Sequence, residues 1–204
     1  MEKNQAKILG CVASGFSFSH EMYGEKFYKV FINVERESGT YDKLPIMISE
    51  RLMDVEQNYT GEYMYVEGQL RTYNQADGDK KHLMLSLFAL DAFITDSEEP
   101  INYIYLEGAI CNHPTLRETP LGRKISDVML AVNRPYGKSD YIPCICWGRS
   151  ANVPYAIGQG GHIAIHGRFQ SREYNKVIGE ETEVRTAYEV SVVKIEVTHE
   201  RSVS

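Results

Sequence analysis

The sequence repeats itself. Ile8, Gly10 and Val12 return 98 residues later as Leu106, Gly108 and Ile110, and Gly24 returns as Gly122. The same offset carries Val30, Ile32, Val34 and Arg36 onto Val128, Leu130, Val132 and Arg134, and Leu44-Pro45-Ile46 onto Ile142-Pro143-Cys144. One further residue of offset aligns Gly61, Val66, Gly68 and Leu70 with Gly160, Ile165, Gly167 and Phe169. So many matches in one register restrict the chain to folds that a unit of about 95 residues can form twice. The expected domains are residues 1–98 and 99–204. A joint as short as 96–100 implies two units packed together rather than loosely tethered.

Each unit shows the same order of elements. In the second, residues 102–112 and 125–134 alternate apolar and polar as strands, separated by a loop with Pro114, Pro120 and Gly122. A third strand spans 140–147. Residues 150–157, containing Pro154 and followed by Gly158 and Gly160, allow at most a brief helix. A fourth strand runs from 162 to 174, a polar loop covers 175–186, and the last strand is 187–197. Three strands, a small helix and two strands give an all-β chain of two tandem five-stranded oligonucleotide-binding (OB) barrels, each with one short helix between strands 3 and 4. A small β-sandwich shares the strand count, but the single helical connection favours the barrel.

The stretch from Asp140 to Arg149 carries most of the functional signal. As a strand it sets Tyr141, Pro143, Ile145 and Trp147 on one face and Ile142, Cys144 and Cys146 on the other. The second face suits a core. The first bears two aromatics, one of them the single tryptophan, and ends at Gly148-Arg149. On the fourth strand Ile163, Ile165, Gly167 and Phe169 belong inside. His166, Arg168, Gln170, Arg172 and Tyr174 then stand outside, beside Tyr141 and Trp147. Aromatics among cations suit single-stranded nucleic acid, because every base has a face to stack on and every phosphate a charge. The competing readings are a strand buried on both sides and a merely solvated polar face.

The net charge of −6 at first disfavours such a partner. The charge is uneven, however. Residues 1–98 hold 10 Lys/Arg against 16 Asp/Glu, whereas 117–176 hold nine basic residues, including Arg123, Lys124, Arg134 and Arg149, against four acidic ones. A local basic field attracts phosphate whatever the global sign. The first unit has Lys43, Ser49 and Glu67 where the second has Tyr141, Trp147 and His166, though Arg71 and Tyr73 stay outward on its fourth strand. With Tyr63 and Tyr65 on that same face, an interface or scaffolding role stands slightly ahead for the first unit.

Other chemistries find little support. The four cysteines show no C-x-x-C spacing and read as small buried thiols, not zinc ligands or disulfides. There is no nucleotide-loop, zinc-protease or hydrolase-elbow motif, so no enzyme, cofactor, metal or small-molecule substrate is expected. No apolar run approaches the roughly 18 residues that span a bilayer, and the expectation is a cytoplasmic protein without membrane contact.

Residues 102–197 resemble the bacterial single-stranded DNA-binding protein family. The likeness lies in His113–Arg123, Leu130-Ala-Val-Asn-Arg134, Tyr141–Ala151, His166-Gly-Arg168, Ser171-Arg-Glu-Tyr174 and Tyr188-Glu-Val190, in family order. The resemblance implies an OB fold that wraps single-stranded DNA, with four folds acting together; two per chain would then need a homodimer. It implies stacking on Tyr141, Trp147 and Tyr174 and backbone contacts from Arg168 and Arg172. The family usually has one such domain and a flexible glycine-rich acidic tail that recruits partners. This sequence adds a divergent domain in front and ends at Thr198–Ser204 without that pattern. The expected function is binding of single-stranded DNA, with little sequence preference, in replication, recombination or repair. An assembly module that does not touch DNA is the rival, and RNA offers the same stacking faces.

Overall fold

The computed structural model describes residues 2–77, 80–178 and 181–198. In the first half, β1 (Asn4–Val12), β2 (Ser17–Met22), β3 (Glu25–Glu35), β4 (Tyr41–Ser49), β5 (Tyr63–Asp77) and β6 (Lys80–Thr95) follow one another. The second half repeats the series as β7 (Ile101–Ile110), β8 (Thr115–Glu118), β9 (Lys124–Asn133), β10 (Ser139–Trp147), helix α1 (Asn152–Ile157), β11 (His162–Ile178) and β12 (Glu181–Thr198). The fold is mostly β.

Strand pairing closes on itself in each half. β1 pairs antiparallel with both β3 and β5, β3 with β4, β4 runs parallel to β6, and β6 returns to β5. The second half repeats this ring with β7, β9, β10, β12 and β11. Inside, the period-two alternation is filled by β-branched and aliphatic side chains: Val30, Ile32, Leu44, Ile46, Leu130, Ile142 and Ile165 are nearly or wholly buried. Gly10 and Gly108 mark where the first strand of each ring crosses its partner. A Cβ at Gly10 would lie 2.3 Å from the Asn33 carbonyl oxygen, and one at Gly108 would lie 2.2 Å from that of Ala131. Only glycine lets those backbones approach so closely.

The halves join through β1 and β7, antiparallel from Asn4↔Leu106 to Leu9↔Ile101. Two asparagines tie the joining strands alike, each to its own half. The Asn4 side chain donates to the Leu70 carbonyl (2.7 Å) and accepts from its amide (2.9 Å); Asn102 makes the same two bonds to Phe169 at 2.8 Å each. The joint is therefore a near two-fold arrangement within one chain, and it makes a continuous sheet.

Several expectations need correction. No helix follows the third ring strand in the first half: residues 50–62 form turns, in which Asp54 and Asn58 accept the amides of Glu56 and Thr60 at 3.1 Å and divert the backbone from a helix. In the second half a 3-10 turn leads into α1, with Pro154 in its first turn, where its missing N–H leaves no bond unmade. Among the described residues each half carries a sixth strand besides the five of its ring, because β2 and β8 fold back onto β3 and β9. The region 175–186 is largely strand: β11 and β12 run on as a long hairpin, leaving only 179–180 outside the described residues, as are 199–204.

Candidate nucleic-acid interface

Trp147 ends β10, half-buried, and its indole N–H donates to the Ser191 hydroxyl on β12 at 3.0 Å. That bond fixes the ring plane at the mouth of a groove of about 290 Å³. Ile145, Arg117, Gln170, Arg172 and Glu189 line it, together with Arg36 from the first half. Ile145, on the outward face with Trp147, is nevertheless buried and floors the groove, whereas Ile142, Cys144 and Cys146 point into the core as their alternation requires. Burial pushes the Cys146 thiol up to about 12 and raises Cys144 well above its ordinary value.

Every cation of this groove already has a carboxylate. Arg117 on β8 forks onto Asp127 (2.6 and 3.0 Å), and Arg172 Nε lies 3.5 Å from Glu189, which also accepts from Gln170 at 2.8 Å. Arg36 is bound to buried Asp42. Hydrogen bonding to Asp127 and Asp42 raises the pKa of Arg117 and Arg36, so both stay charged. The pairs set the direction of each guanidinium and leave the groove close to neutral. A strand lying here would gain more from stacking than from charge.

The residues singled out in sequence do not all gather at this groove. Trp147 and Arg172 share it, with exposed Tyr174 next to Arg172, whose guanidinium lies 6.0 Å from the tyrosine ring. Arg123 and Lys124 are exposed on the β8–β9 hairpin, and Arg149 is exposed in the turn after Trp147. Tyr141, also exposed, stands at the far end of β10, where its amide donates to the Thr72 hydroxyl of the first half at 3.2 Å. His166 does not flank Trp147; it packs against Tyr103 and Tyr105, ring centroids 6.0 and 5.0 Å away. Arg168 lies at the joint, 3.9 Å from Asp42. Arg134 is also a joint residue: it pairs with buried Asp140 and donates to the Thr72 carbonyl at 3.3 Å. Its strand position made it look like an outward phosphate contact.

Arg71 and Tyr73 belong to a second groove, of about 600 Å³, in the first half. The repeat places it where the first groove lies: Met47 stands for Ile145, Thr72 for Ser171 and Phe88 for Ser191. Phe18, His20 and Phe88 give it aromatic walls, and Lys29, Arg71 and Arg134 are its cations. The Arg71 guanidinium lies 3.7 Å over the Phe88 ring, and its Nε is buried without a partner. Desolvation lowers the Arg71 pKa, with the Arg134 charge adding to the effect, and burial raises that of Tyr73. Sequence reasoning missed Phe18 and His20 because β2 is exposed throughout and has no buried face to give a period. Among the described residues no group of His, Cys, Asp and Glu could hold a metal ion, and no helix is long and apolar enough to cross a membrane.

Comparison with known proteins points the same way. Residues 101–198 match the Single-strand binding protein family. The Single-stranded DNA-binding protein of Halalkalibacterium halodurans is 34% identical over 82 residues, covering 37% of this chain and 49% of that protein. Single-stranded DNA-binding protein A of Bacillus subtilis is 32% identical over 103 residues, covering 47% of this chain and 60% of that protein. The chain thus spans about half to three-fifths of the length of these relatives. The wild-type single-stranded DNA binding protein from Thermus aquaticus, 19% identical, superposes with a TM-score of 0.74 over 98% of this chain and 95% of that one. At that identity the likeness is one of fold, and it extends over both halves.

Proposed function

We propose that this chain, in which residues 101–198 form a domain of the single-strand binding protein family, binds single-stranded DNA with little sequence preference. It acts as a tandem of two five-stranded OB barrels, residues 1–98 and 99–204, each extended by an extra hairpin strand. The observation that carries the reading is the fixed indole of Trp147 at the mouth of a groove walled by Arg117 and Arg172, within the domain that the family matches. A ring already held by Ser191 loses little freedom when a base stacks on it.

In this reading Trp147 is the main stacking platform. Tyr174 extends it along the hairpin and Tyr141 meets the strand near the joint. Arg172, Arg149, Arg123, Lys124 and Arg168 meet phosphates. Such a protein covers single strands exposed in cytoplasmic DNA replication, recombination or repair, and it binds rather than catalyses. Assembly as a homodimer is supported by the sheet face around the joint, where half-exposed Phe93 packs on Tyr65 and where Tyr103 and Tyr105 surround His166.

Because the chain has one tryptophan, its emission reports on one place. Titration with an oligothymidine quenches that emission. Unchanged emission together with no gel shift at low salt refutes the reading.

A further inference from the structure

Arg36 belongs to the first half but lines the groove of the second. Its Nε donates to Asp42 at 2.8 Å, and Nη2 donates to Asp42 and to the Ser171 carbonyl of β11, the latter at 2.9 Å. Asp42, wholly buried, also accepts the Ser171 amide at 2.8 Å, and the Lys43 amide donates to the Ser171 hydroxyl at 3.1 Å. Three of the five guanidinium donors are thus committed to holding the side chain, and the Nη1 edge remains. The side chain is 30% exposed and sits between two openings: the groove with Trp147 and Arg172, and a cavity of about 440 Å³ lined by Arg168 and Pro100 with Glu35 and Glu37. Asp42 is shared by Arg36 and Arg168, so one buried carboxylate faces two guanidinium groups.

We propose that Arg36 is a phosphate-binding residue of the second half's groove, positioned by Asp42 and Ser171, and that it leads the strand from Trp147 across the joint towards Arg168. The inference rests on the single-stranded DNA reading above. A guanidinium held on two sides offers a phosphate a fixed donor edge at little entropic cost. The groove is then complete only when both halves are docked.

The test is the double variant Arg36→Gln/Asp42→Asn in the full chain. It leaves the net charge unchanged and keeps an acceptor for the Ser171 amide. Oligothymidine affinity should fall about ten-fold, and the log–log salt slope should become shallower by about 0.7, the value for one phosphate on a single strand. Trp147 should still be quenched to the same extent at saturation. A folded double variant with the parent's affinity and slope overturns the inference. Should the variant not fold, arginine modification by phenylglyoxal on the unaltered protein decides: oligothymidine should protect Arg36 but not Arg51, which is 70% exposed elsewhere. Equal labelling of Arg36 with and without oligothymidine refutes it. If the unaltered protein does not bind oligothymidine at all, the functional reading fails instead.

Discussion

The carboxylate of Asp42 accepts the backbone amide of Ser171 across the joint at 2.8 Å, and Asp140 repeats the contact with Thr72 at 2.6 Å. Each acid is buried, and each is bound by the arginine six residues before it. Asp42→Ala strands that amide and a partly buried guanidinium together. Because Arg36 can reach solvent, the cost falls below the full value for a buried pair, at about 2–3 kcal/mol. A lower urea midpoint measures it, and Asp140→Ala should match. Asp42→Asn, which keeps the acceptor, should cost less.

Gly10→Ala and Gly108→Ala test the crossing of strands. The added methyl meets a backbone carbonyl, not a flexible side-chain end, so the strands must separate. Each substitution should destabilise by about 3 kcal/mol, seen as a lower thermal midpoint, and each should do so in its own half. Alanine at Gly15, with nothing within 4 Å, is the control and should leave the midpoint nearly unmoved.

Alkaline pH should unfold the protein through its buried thiols. The folded Cys146 keeps its proton to about pH 12, while an ordinary thiol releases it near 9.0. Between those values the unfolded chain binds fewer protons, so stability falls as pH rises, by about 1.4 kcal/mol per unit for each such thiol. Urea melts from pH 8 to 11 should show the slope, and Cys146→Ala should flatten it. At pH 8, Ellman's reagent should leave Cys144 and Cys146 unmodified until denaturant is added.

Trp147→Ala should weaken oligothymidine binding by about 1–3 kcal/mol with the thermal midpoint little changed, because the ring is only half-buried. Ser191→Ala tests the fixed ring more finely. It removes the partner of the indole N–H, so affinity should drop while maximal quenching persists. Titration calorimetry on both variants separates loss of the platform from loss of its orientation.

Binding should weaken as salt rises, moderated by the carboxylates of the groove. Each groove arginine is already paired with Asp127, Glu189 or Asp42. With the six phosphates that Arg36, Arg123, Lys124, Arg149, Arg168 and Arg172 would meet, the log–log slope would be roughly −4. Fluorescence titrations from 50 to 400 mM salt measure it, and a slope near −2 would leave the exposed Arg123, Lys124 and Arg149 off the path of the strand.

The ring strands were legible because their buried faces alternate strictly, as in Val30, Ile32 and Val34, and because the same pattern occurs twice. Trp147 stood out as a candidate for a related reason: its repeat partner, Ser49, lacks the chemistry while the strand around both keeps its core, and the structure sets it beside a groove. Strands β2 and β8 were not, since neither buries a face and period-two patterning has nothing to register. The helix expected in the first half was an extrapolation from the second, and Asp54 and Asn58 turn that stretch another way. Arg36 and Arg134 were visible as a repeated pair. Their use across the joint depends on Ser171 and Thr72, more than sixty residues distant in each case, and no local pattern records such a contact.

The pairing of β1 with β7 joins two halves carried by the same polypeptide. A short covalent link holds such partners at an effective concentration in the millimolar range. Dilution therefore does not separate them. Even at nanomolar protein, Arg36 stays seated on Ser171, and the groove of the second half keeps the wall that the first half supplies.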